Sequence, residues 1–187
     1  MKSLPLLLLA PLLASSTLFA TCKTTDNLQV NWTAFKTPLK KGVSGTFSKV
    51  ITNKFATGSI NDILIGSKAS IFTTSINSNN APRDKKLWEN FFALMSGEHI
   101  DSKVISLTGD NKKGLVTVNI TMNKISKNIP MMYTVVDNKI VAKGVIDLFD
   151  FTMQKSLTAI NTACFDLHQG KTWSDVNIAF TLPISCN

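Results

Sequence analysis

Between Leu115 and Phe149 apolar and polar residues alternate almost without a break. Val116, Val118, Ile120 and Met122 occupy every second position. Ile129, Met131, Tyr133 and Val135 repeat the pattern, and after Asp137-Asn138 so do Ile140, Ala142, Ile146 and Leu148, with Gly144 among them. Side chains on a strand point to opposite faces with period two, so this stretch predicts three strands with one apolar face each. The links between them are short, which fits an antiparallel meander. A sheet with one greasy face must bury it, and a small chain does so by closing into a barrel or stacking as a sandwich. A barrel of about eight strands encloses enough room for one small ligand.

The same periodicity extends the count. Leu28, Val30 and Trp32 mark a first strand. Val43, Gly45 and Phe47 begin a second that runs to about Ile51, and Ala69, Ile71 and Thr73 begin a third that ends near Ile76. His99 to Thr108 forms a fourth, the meander supplies three more, and Trp173 to Leu182 gives the eighth. Two helices interrupt the pattern. Asn80 caps one with Pro82 in its first turn; it runs from about Arg83 to Met95 and carries Leu87, Phe91 and Leu94 at helical spacing. The other runs from Gln154 to His168, with Leu157, Ile160, Cys164 and Leu167 on one face. Ser59 is placed to cap a single helical turn through Ile65. The expected fold is mainly β, an antiparallel eight-stranded barrel with two short helices.

Residues 1–20 stand apart. Lys2 precedes an apolar run from Leu4 to Leu13, small residues follow, and Ala20 offers a cleavage position. This predicts a secretory signal peptide, too short to span a bilayer, and leaves residues 21–187 as one domain in the periplasm or outside the cell. Of the 187 residues, 20 are basic and 12 acidic, a net charge of +8. A basic surface keeps such a protein soluble, and it also suits anionic head groups and transient contact with a membrane surface. Nucleic acid is not an expected partner, because the lysines are scattered and Arg83 is the one arginine. Monomer and homodimer both remain open.

Cys22, Cys164 and Cys186 allow three pairings in an oxidising compartment. If the first and last strands are neighbours, Cys22–Cys186 is slightly favoured, with Cys22–Cys164 close behind. The catalytic inventory is thin. His99 and His168 have no ligand-type partner at metal spacing, and His168 reads most simply as a surface residue at a helix C-terminus. Asp147 and Asp150 mimic an acid–base pair in their spacing, but one capping a turn and the other facing solvent at a strand end is the preferred reading. No catalytic residue, cofactor or metal is expected. Asp84 lies in a helix first turn, where its charge offsets the dipole, and Arg83 can serve either the structure or the polar head of a ligand. Trp32, Phe47, Ile71, Phe91, Phe92, Met131, Tyr133, Phe149, Phe151 and Met153 are the candidates to line a cavity for an apolar chain.

Several segments, in order, resemble the YceI-like family of bacterial periplasmic lipid- and polyisoprenoid-binding proteins. Trp32-Thr33-Ala34-Phe35-Lys36 followed by Val43-Ser44-Gly45-Thr46-Phe47 is similar to the family's opening strand pair. Ser75-Ile76, then Arg83-Asp84, Leu87 and Phe91-Phe92, is similar to its loop and helix. Val116 to Met132 resembles its hairpin, and Gly144 to Phe151 its strand ending in an Asp-Phe pair. Lys86, Lys124-Ile125 and Thr152 depart from the family pattern. The resemblance implies a lipocalin-like barrel with an isoprenoid or fatty chain running down its interior. It also implies a carrier that is not an enzyme; a packed barrel with a structural or stress-related role is the alternative. Each buried methylene contributes roughly 0.8 kcal/mol, so a chain of about 15 carbons offers on the order of 12 kcal/mol gross.

Overall fold

The computed structural model describes residues 21–53 and 55–187, so the expected signal peptide lies outside the described residues. Its strands are β1 (Cys22–Thr24), β2 (Gln29–Lys36), β3 (Lys41–Phe47), β4 (Val50–Thr52), β5 (Lys68–Phe72), β6 (Ile76–Asn77), β7 (His99–Gly109), β8 (Lys113–Met122), β9 (Ile125–Val136), β10 (Lys139–Asp147) and β11 (Thr172–Cys186). The helices are α1 (Ile60–Leu64), α2 (Ala81–Asn90), α3 (Gln154–Ala163) and α4 (Phe165–His168).

Every strand pair is antiparallel, and the path runs β4-β5-β7-β8-β9-β10-β11-β2-β3-β6. The curled sheet closes because its ends belong to one bent pair. β3 leads into β4 across Ser48-Lys49, and β5 leads into β6 across a 3-10 turn, Thr73–Ser75. Backbone bonds from Ser48 N to Ser75 O (2.9 Å) and Phe72 N to Lys49 O (3.1 Å) carry the ladder through the bend. The Ser75 hydroxyl accepts from Lys49 N at 3.0 Å, replacing the bond that the 3-10 turn displaces. β3 with β4, and β5 with β6, therefore act as single staves. The eight expected strands are the eight staves of a lipocalin-like barrel, and β1 is an added edge on β11.

Alternation puts the expected side chains inside. Val116, Val118, Ile120, Met122, Ile129, Met131, Tyr133, Ile140, Ala142 and Ile146 are all buried. Large residues are matched with glycines. The Trp32 indole lies over Gly45, where a Cβ would come within 2.4 Å of the ring, and Met131 lies over Gly144, where it would come within 2.8 Å. One end of the barrel carries α1, whose Ile60, Ile63 and Leu64 are buried and whose N-cap is Ser59 in a reciprocal pair with Asp62. Cys22 and Cys186 face each other there in register and form a disulfide; Cys164 is the free, buried cysteine. The other end is roofed by α2, α3 and α4.

Both long helices are shorter than the periodicity predicts. α2 stops at Asn90, and Phe91, at φ −129° and ψ −65°, leads into a 3-10 turn over Phe92–Leu94. An α-helix sets adjacent residues about 100° apart, and the break lets both Phe91 and Phe92 bury. The second helix divides at Cys164 into α3 and α4. Phe149 requires a correction. β10 ends at Asp147, whose side chain accepts from Phe149 N at 2.9 Å and starts a 3-10 turn over Leu148–Phe151. With three residues per turn, Leu148 and Phe151 share the inner side and Phe149 swings out, 49% exposed. It does not line the interior.

Candidate functional site

A cavity of about 200 Å³ lies under the helical roof. Trp32 and Ile178 form its floor, continuing into Ala34, Val43, Val176 and Ile146 on the barrel wall. Phe47, Phe91 and Phe92 form one side, with edge-to-face contacts of 6.0 Å between Phe47 and Phe92 and 5.0 Å between Phe91 and Phe92. Leu87 from α2 and Leu157, Ile160 and Cys164 from the α3 region close it from above. The volume falls below the roughly 300–1,000 Å³ common in ligand pockets. A separate void of about 60 Å³ lies toward the α1 end, against Leu64, Val104 and Phe180.

Where the resemblance implies one continuous lumen, the structure holds two voids with no lining residue in common. Met131 and Tyr133 are completely buried and line neither void. The Tyr133 hydroxyl donates to Asp110 O at 2.6 Å, which fixes the ring across Gly114. Ile71, Phe151 and Met153 are also buried but contribute packing rather than cavity wall. Of the ten expected lining residues, Trp32, Phe47, Phe91 and Phe92 meet at the cavity.

Its rim is basic. Lys36 from β2, Arg83 and Lys86 from α2, and His168 from α4 contribute to the lining, and no Asp or Glu does. His168 Nδ1 lies 2.8 Å from Thr172 Oγ1. The Thr172 hydroxyl proton goes to Asn161 Oδ1 at 2.9 Å, so Nδ1 carries the proton toward Thr172. Burial, then Lys36 and Lys86, push the His168 pKa below its ordinary value. Lys86 Nζ donates to Ala163 O at 3.3 Å, tying α2 to the C-terminus of α3. Arg83 and Asp84 separate in role. Asp84 accepts from Ser78 N (2.9 Å) and from the Ser78 hydroxyl, fastening the loop to α2, whereas Arg83 contributes to the cavity lining and its buried Nε has no partner among the described residues.

Sequence reasoning had no signal for Lys36 and Lys86, and it set His168 on the surface. The helical face of Leu157, Ile160 and Cys164 was visible, but not the void it covers. Among the described residues, no group of three or more His, Cys, Asp or Glu side chains is placed to hold a metal.

A closed antiparallel barrel with an apolar, basic-rimmed void beneath a helical roof defines a lipocalin-like architecture. The YceI-like domain profile matches residues 22–183, and the chain belongs to that family. Solved structures agree on the fold. Burkholderia cenocepacia BcnA is 14% identical with a TM-score of 0.56, over 84% of this chain and 96% of its own. A polyisoprenoid-binding domain from Saccharophagus degradans, implicated in plant cell wall breakdown, is 13% identical with a TM-score of 0.56, over 90% and 99%. The Campylobacter jejuni YCEI protein is 19% identical with a TM-score of 0.54, over 79% and 86%. No curated protein matches the sequence.

Proposed function

We propose that this chain is a periplasmic or secreted binding protein that carries an amphipathic lipid, a polyisoprenoid or fatty-acid derivative, with its tail in the cavity roofed by α2 and α3. The apolar void is the observation that carries this reading. Membership of the YceI-like family supports it, as does likeness to a domain named for binding polyisoprenoid. The driving force is transfer of methylenes from water to a wall of Trp32, Phe47, Leu87, Leu157 and their neighbours. Lipid exchange at a membrane fits the rim, where Leu39 at the β2–β3 hairpin tip is 91% exposed and Leu167 beside the cavity is 62% exposed, amid Lys36 and Lys86.

A second reading is a packed barrel with a structural or stress-related role; the small void and the complete burial of Met131 and Tyr133 favour it. Extraction of the purified, exported protein with organic solvent, followed by mass spectrometry, separates the two. A reproducible co-purifying lipid is expected. A clean blank, with no uptake of added isoprenoid or fatty-chain lipid, would leave the packed barrel.

A further inference from the structure

We infer that the cavity selects a lipid whose head is an oxyanion, a carboxylate or a phosphate monoester, and that Arg83 recognises that head. The inference rests on the lipid-binding reading above and names the ligand class within it. All the ionisable lining groups but the Cys164 thiol are basic: Lys36, Arg83, Lys86 and His168. No carboxylate forms an ion pair with Arg83 among the described residues, and the nearest in sequence, Asp84, is turned to Ser78. Among the described residues Arg83 Nε is a buried charged donor without an acceptor, an arrangement that native structures rarely leave unanswered. A head group with two oxygens on one centre offers acceptors in the planar spacing that a guanidinium fork matches. An alcohol or amide head supplies an acceptor but leaves the positive charge unbalanced. Lys36 and Lys86 add positive charge to the same lining. Leu87, Leu157 and Ile160 line the same cavity as Arg83, so one site serves an apolar tail and a charged head.

The test uses the full exported chain stripped of lipid. Two matched pairs are titrated, palmitate against palmitamide and geranylgeranyl phosphate against geranylgeraniol, while the emission of Trp32 and Trp173 at the cavity is followed. The anionic member of at least one pair binds about tenfold tighter or better, the range expected for hydrogen bonds to a charged group. Which pair shows the larger ratio separates a fatty acid from a prenyl phosphate as the source of the head. Arg83→Gln abolishes the preference and leaves the neutral members unchanged. Arg83→Lys keeps part of it and carries the test if Arg83→Gln does not fold. Equal affinity within both pairs overturns the inference while the lipid-binding reading stands. A preference that survives in Arg83→Gln overturns the assignment to Arg83. Failure of all four ligands to bind removes both.

Discussion

Ala34→Phe tests the cavity most directly. Ala34 sits on the wall of the void between Val43 and Val176, its register partners on β3 and β11. The void of about 200 Å³ is the space the tail would fill. The substitution adds six ring carbons to that wall, which exclude tail carbons from it. Losing the burial of three methylenes, about 2.5 kcal/mol at roughly 0.8 kcal/mol each, weakens binding about 70-fold. Overpacking costs typically ~1–3 kcal/mol, offset here because the ring enters an existing void, so the melting temperature stays near that of the parent. Titration of both proteins with straight-chain carboxylates of increasing length measures the effect. For the parent, affinity rises about fourfold per methylene and flattens once the void is full. Parent-like affinity in a folded Ala34→Phe protein would refute the assignment of the tail to this void.

The His168 imidazole has a folded-state pKa below its ordinary 6.5, so the unfolded chain binds its proton more readily. Its contribution is fully present above about pH 6.5 and is lost as pH falls through that value toward the folded-state pKa. His168→Gln should flatten that part of the profile, read from urea midpoints between pH 8 and 5. Asp62 and Asp110 do not confuse it: the Ser59 side chain and backbone N–H hold Asp62 low, and the Lys113 and Lys112 N–H groups hold Asp110 low, so both titrate in more acid solution. Replacing Cys22 and Cys186 together with Ser should cost about 2–5 kcal/mol, because the bond closes a 164-residue separation. In the parent, buried Cys164 should react with a thiol reagent only after unfolding. Thr152 holds φ 55°, a left-handed conformation that costs an L-residue roughly 1–2 kcal/mol, so Thr152→Gly should raise the denaturation midpoint.

The features legible in the amino-acid order are those that depend on neighbours along the chain. Alternation with period two fixed the inward faces of β8, β9 and β10, and the eight staves follow from the same rule. Ser59 and Asn80 announced their helices because each accepts from a backbone N–H three residues on, and Asp137-Asn138 turns with both residues at positive φ. Asp147 is a turn cap, one of the two roles its position suggested, and Asp150 lies beside Lys127 at 3.9 Å. The tertiary structure alone decided where the interior is empty. Met131 and Tyr133 fill it because Gly144 and Gly114 stand beneath them on adjacent strands, whereas Trp32, Phe47, Phe91 and Phe92 border a void because α2 and α3 bridge the barrel end without filling it. It also brought Lys36, Arg83, Lys86 and His168 to one rim and turned Phe149 away. Periodicity tells a side chain which face it occupies; a void is the volume left over after every stave and the roof have contributed, and no local pattern encodes that remainder.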